Sequence, residues 1–170
     1  TIMGGSVDQT KVCAALCAAQ AEMPAALIDS TNPMFRSRYA SLGAVISASQ
    51  PVLNKHGLAV LQIPECSGQI LGRMKYDPTD PEENEVDQVR GIVALHTKIV
   101  HNSGQWLDGG TLSLPIANQR GNSISQVVGQ VVTYLRRYSW SSVLGIYADE
   151  DNDGNEPTQT SSPAKPPLPE

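Results

Sequence analysis

The sequence predicts an α+β fold: an antiparallel sheet of three or more strands packed against a long C-terminal helix, with further helices at the N-terminus. Three observations carry this expectation. Apolar residues recur at three- and four-residue spacing near both ends of the chain. Between them lie segments that alternate apolar and polar residues. Two of those segments are joined by Asn102-Ser103-Gly104, a hairpin turn signal.

Taken in order, residues 7–22 read as a helix, with Val12, Leu16, Ala19 and Met23 as its stripe and Pro24 as its stop. That stripe is narrow and Ala-rich, so it suits either a subunit contact or packing at home. After the Asn32-Pro33 turn a second helix is expected over 39–56, with Leu42, Val45, Ile46, Ser49 and Leu53 on its face, a kink at Pro51 and Gly57 past its end. Residues 58–63 form a short strand bounded by Pro64. The acidic, proline-bearing stretch 75–89 reads as a mobile loop. In the strand 92–101, Val93, Leu95 and Ile99 face one way and His96 and Lys98 the other. The return strand 105–114 places Trp106, Leu112 and Leu114 on one face, and Gly109-Gly110 marks a bulge or a close backbone approach. The best-marked helix is 123–144: Ser123 and Gln126 make a capping box, Ile124, Val127, Val128, Val131, Leu135, Tyr138 and Ser142 keep the spacing, and Gly145 ends it. Residues 1–148 are thus expected to be one core domain. Residues 149–170, acidic and then rich in Ser, Thr and Pro, are expected to be a disordered tail.

The 170 residues, 40% of them hydrophobic, suffice for one domain with a core of its own. The longest apolar run, Val12 to Ala19, is eight residues, far short of the ~20 a membrane helix needs. No basic segment followed by an apolar core marks a secretory signal, and Cys13, Cys17 and Cys66 make neither a disulfide framework nor a CxxC pair. A reducing, cytoplasmic compartment is the expectation.

Net charge is −5, from 12 bases and 17 acids, yet the charge is segregated. Six acids fall between Asp77 and Asp87 and five between Asp149 and Glu156; without them the chain is net +6. Arg136 and Arg137 have no acid within ten residues on either side, and Arg36, Arg38 and Lys55 lie in an acid-free stretch from Ser30 to Pro64. Phosphate is the fitting counter-charge, because guanidinium forks match its oxygens. Tyr39, Tyr134 and Tyr138 are either core residues or platforms for bases; Trp106 and Trp140 are read first as core or interface.

Several chemistries lack their residues. No GxxxxGK[ST], strand-linked GxGxxG or GxSxG motif occurs. His96 and His101 fall on opposite strand faces and cannot share a metal, and His56 is expected to meet the last carbonyls of its helix. Asp149 to Gly154 imitates the start of a calcium loop, but the twelfth position is Thr160, so no EF-hand is expected. No metal, cofactor or catalytic residue is assigned.

Three segments together carry a family resemblance: Asn32-Pro-Met-Phe-Arg-Ser-Arg-Tyr-Ala-Ser-Leu with Leu53-Asn-Lys-His-Gly-Leu; Leu95-His-Thr-Lys-Ile-Val-His-Asn-Ser-Gly-Gln-Trp-Leu; and Gln130-Val-Val-Thr-Tyr-Leu-Arg-Arg-Tyr-Ser-Trp with Leu144-Gly-Ile and the acidic run from Asp149. The chain resembles the ERF (essential recombination function) family of phage single-strand annealing proteins, over about residues 7–155. The resemblance implies a fold similar to the Rad52-type annealing core, ATP-independent annealing of complementary single-stranded DNA, homo-oligomeric rings or filaments, and no covalent chemistry. Arg136 and Arg137 become the leading DNA contacts, joined by Arg36, Arg38, Tyr39, Lys55, Lys98 and Tyr134. The host's single-strand binding protein is a further candidate partner, and the acidic tail a candidate competitor for the DNA groove. The acidic loop 75–89 has no place in the family pattern. The rival readings are a metal-dependent nuclease using the acids near Asp149 and a protein adaptor without DNA activity.

Overall fold

A computed structural model describes residues 4–31 and 38–147. The elements run α1 (Thr10–Glu22), β1 (Ser30–Thr31), β2 (Arg38–Tyr39), α2 (Leu42–Lys55), β3 (Leu58–Met74), β4 (Val86–His101), β5 (Trp106–Ala117) and α3 (Ile124–Leu144). This is the predicted α+β arrangement: β3, β4 and β5 form an antiparallel sheet in that order, covered on one face by the helices. The tail after Tyr147 lies outside the described residues.

The helix ends follow local chemistry. Ser123 Oγ accepts from Gln126 N while Gln126 Oε1 accepts from Ser123 N, the predicted capping box. Gly145 closes α3 at φ 69°, a left-handed conformation that glycine adopts without steric cost. Ser41 caps α2 by accepting from Ala44 N, and the helix runs on through Pro51. The start of α1 is capped from a distance. Gln105 Oε1 accepts from Lys11 N (2.8 Å) and Val12 N (3.1 Å), satisfying donors that a helix leaves orphaned. The helix therefore starts at Thr10 rather than at Val7, because residues 4–6 instead bond along the edge of β5: Asp108 N donates to Gly4 O and Ser6 N to Trp106 O.

Three strand expectations are corrected. β3 does not stop at Pro64 but continues to Met74. It is an edge strand, where a missing N–H is tolerated. Likewise β4 begins at Val86, so the acidic loop shrinks to residues 75–85. Third, Trp106 does not share a face with Leu112 and Leu114. Gly109 and Gly110 together oppose the single residue Thr97, and an extra residue reverses which face the following side chains take. Trp106 pairs with Val100 on the outer face; Leu112 and Leu114 pair with Leu95 and Val93 on the helix-covered face. The bulge glycines have their reasons: Gly110 sits at φ 84°, and a Cβ on Gly109 would come within 2.8 Å of Val143 Cγ2.

Two apolar clusters lie beneath the helices. One gathers α1, α2 and the end of α3 around Val12, Leu53, Ile99, Trp140 and Leu144. The other packs Val127 and Leu135 onto Val93, Leu95 and Ile116. The sequence stripe of α3 holds through Leu135 and then turns. Ser139, Trp140 and Leu144 go inward, while Tyr138 and Ser142 are exposed. Thr97 on β4 satisfies the polar position that this brings under the helix: its buried hydroxyl bonds that of Ser139. Trp140 is core, its Nε1 donating to Ser49 Oγ at 2.9 Å.

Candidate nucleic-acid interface

The turn of the α3 stripe is what builds the site. With Tyr138 outside, it stands one helical turn from Tyr134, and the rings lie 4.3 Å apart at 39°. Both remain nearly half exposed. A hydrogen bond with Tyr138, and then burial, raises the pKa of the Tyr134 hydroxyl, so it stays neutral. Arg137 lies among these rings and Tyr39. Its Cζ is 4.3 Å from the Tyr39 centroid, 4.9 Å from Tyr138 and 5.8 Å from Tyr134. Stacking engages the faces of a guanidinium and leaves its in-plane N–H donors available.

Arg136 is held differently. Its Nε donates to Gln62 Oε1 (3.3 Å), while Gln62 Nε2 donates to the Arg136 carbonyl (3.0 Å). This two-way clamp ties α3 to β3 and fixes the base of the side chain. One of the five N–H donors is used, and about four remain. Neither arginine is sealed inside, and among the described residues neither forms an ion pair with a carboxylate. Arg38, exposed on β2 beside Tyr39, is likewise without a carboxylate partner among the described residues.

Two of the expected contacts are placed elsewhere. The reading of Lys55 as uncompensated is corrected: its Nζ lies 2.6 Å from Glu22 Oε2 on α1. Glu22 also meets His56 Nε2 at 3.2 Å, so His56 faces a carboxylate rather than the helix carbonyls. Lys98 lies on the outer face of the sheet, 4.5 Å from the Trp106 ring, with the sheet between it and α3. Arg36 lies outside the described residues, as do the acids from Asp149 onward. Tyr39, Tyr134, Arg136 and Arg137 are the predicted residues that converge, with Arg38 at their margin.

Sequence reading passed over Gln62, whose polar side chain in an apolar strand was the available signal, and the outward turn of Tyr138. It also missed a network on the outer sheet face, where His96 Nδ1 meets Thr111 Oγ1 at 2.9 Å and Nε2 lies 3.4 Å from Asp108 Oδ1. The acids in and beside the loop meet counter-charges from flanking segments: Glu83 pairs with Arg120, and Glu85 and the β4 residue Asp87 with Arg73 on β3. Among the described residues no cluster of His, Cys, Asp or Glu is placed to hold a metal ion, and no helix is long and apolar enough to cross a membrane.

The arrangement is a small cationic and aromatic surface in which, among the described residues, no carboxylate pairs with either guanidinium. Searches of curated proteins and of solved structures returned no match. The family model described as ERF superfamily matches residues 12–169, nearly the whole chain. The chain belongs to the ERF superfamily.

Proposed function

We propose that this chain binds single-stranded DNA and anneals complementary strands without ATP, as an oligomer and without covalent chemistry, in the cytoplasm of a phage-infected bacterium. Membership of the superfamily supports recombination in general. The observation that carries the finer reading is Arg137, stacked among three tyrosines and without a carboxylate partner among the described residues, in a chain of net charge −5. Arg136 and Arg137 hold phosphates. Tyr134 and Tyr138, exposed and paired, offer ring faces on which bases stack, each stack worth about 1–3 kcal/mol. A single protomer of this size holds few nucleotides, so affinity comes from many protomers along one strand, through effective concentration.

Two dye-labelled complementary oligonucleotides are mixed with the protein in the absence of nucleotide. Pairing is expected to accelerate, and R136A/R137A to lose the acceleration at moderate salt while staying folded and keeping its assembly state. Normal annealing by the double variant removes the site from the mechanism. Cleavage of the labelled strands on adding magnesium would instead favour a nuclease.

A further inference from the structure

Tyr39, Arg137 and Tyr138 of this surface also line a cavity of about 400 Å³ between β2, α2 and the end of α3. That volume is at the small end of the roughly 300–1,000 Å³ typical of small-ligand sites. Its inner wall is apolar, made by Ala40, Val45 and Ile146, all buried. Its mouth carries the rings of Tyr138 and Tyr147, respectively 44% and 62% exposed, beside the Arg137 guanidinium. Ser141 adds a hydroxyl to the lining that has no partner among the described residues. An apolar floor, aromatic walls, the Ser141 hydroxyl beside a Ser142 hydroxyl already bonded to the Tyr138 carbonyl, and a cation at the entrance suit a flat heterocycle attached to an anion. A purely apolar ligand would leave the serine and the guanidinium unused, and a bare phosphate would leave the floor empty.

We propose that this cavity takes one nucleobase of the bound strand, swung out of line with its neighbours, while its phosphate stays at Arg137. The proposal rests on the reading that the surface holds single-stranded DNA and adds a second kind of contact to it. Each protomer then divides the strand, holding one base back and leaving the others outward for pairing. The ligand chemistry, a base on a sugar-phosphate, is also that of a free nucleotide. Tethering favours the strand, because a base beside an already held phosphate arrives at high effective concentration.

The test compares a short oligothymidylate with an abasic oligomer of the same length, for wild type and for S142F. Ser142 lines the cavity but is exposed, so a larger side chain there obstructs the space without disturbing the core. Wild type is expected to prefer the base-bearing oligomer by about tenfold or more, the scale of one base–aromatic stack. S142F should keep its affinity for the abasic oligomer and lose about tenfold of that preference, the share of the one base in the cavity, with stacking on Tyr134 remaining. S141L, at a half-buried position of the lining, is a second obstruction with the same expectation. A companion measurement needs no variant: 2-aminopurine within an oligothymidylate should become shielded from acrylamide on binding wild type. The free 2-aminopurine monophosphate serves as the other arm. Shielding in the oligomer supports the proposal. Shielding of the monophosphate alone overturns it, as does an unchanged preference in both obstructed variants. Loss of all binding in R136A/R137A with intact preference in S142F would sink the cavity and spare the surface. Full binding by R136A/R137A would sink the surface itself.

Discussion

Removing Arg136 and Arg137 together has a magnitude that the structure fixes in advance. Each presents N–H donors to solvent with no carboxylate to compete among the described residues. If each neutralises one phosphate, their loss lowers the salt slope on single strands by about 2 × 0.7, or ~1.4 per bound protomer. Between 50 and 200 mM salt, a fourfold change, wild type should lose about sevenfold more affinity than R136A/R137A. The fold should survive. The variant loses a half-exposed cation–π cluster, worth about 0.5–1 kcal/mol per contact at such sites, and one hydrogen bond to Gln62, worth about 0.5–1.5 kcal/mol. Fluorescence anisotropy with a labelled oligothymidylate, titrated at four or five salt concentrations, measures the slope; a thermal melt checks the fold. Equal slopes for variant and wild type would show that neither guanidinium meets a phosphate, whatever happens to absolute affinity.

Other consequences are as direct. T97V strands the Ser139 hydroxyl in the core and should cost about 1–3 kcal/mol, a Tm fall of about 2–4 °C for each kcal/mol; T97V/S139A should recover most of it, and an additive double variant would show the pair to be uncoupled. G129A should raise Tm by about 2–4 °C, since a Cβ there meets nothing within 4 Å and glycine in a helix interior costs about 1 kcal/mol. G91A should lower it, because its Cβ would fall 2.3 Å from the Ser67 carbonyl oxygen and push β3 off β4. K55A should leave the salt slope of DNA binding unchanged, since its charge is spent on Glu22. Stability should also fall in acid. Bonds from the Ser41 hydroxyl and amide hold the Asp29 carboxyl below its ordinary pKa, and Lys55, then His56, do the same for Glu22. Depressed carboxylates add stability that is complete above their unfolded pKa of about 4 and is lost as pH falls through the lower folded values. Melts from pH 7 to pH 3 should show this fall, and D29N and E22Q should each flatten it.

What the sequence made legible was local. The capping box at Ser123, the left-handed Gly145 and the bulge at Gly109-Gly110 each depend on neighbours within a few residues, and each is where the pattern put it. What escaped depended on partners far along the chain. Pro64 stops a strand only if that strand is interior, and edge position is a property of the sheet. Lys55 looked uncompensated because Glu22 lies 33 residues away. The Gln62 clamp on Arg136 spans 74 residues. Trp106 was put on the wrong face because a bulge, though itself visible, reverses the alternation after it. Spacing alone turns Tyr138 inward; the partner that lets Ser139 lie beneath the helix instead is a hydroxyl on another element, Thr97. The candidate site is thus legible as a set of residue types and illegible as a surface.

For the acidic loop, distance removes the conflict between an acidic chain and the proposed anionic ligand. The acidic loop 75–85 caps the far end of the β3–β4 hairpin, and Arg136 is clamped to β3 at Gln62. From Gln62 to Met74 is twelve residues of strand, about 40 Å at ~3.3 Å per residue. The Debye length at physiological salt is about 8 Å, so the loop's field has decayed through several screening lengths before it reaches α3. Near the loop its acids are offset further by Arg73 and Arg120. A phosphate approaching α3 is therefore spared the charge of this loop and meets two guanidiniums that have no carboxylate partner among the described residues. Net charge is the wrong quantity for the proposed binding; a phosphate would answer to the charge within one screening length of the helix.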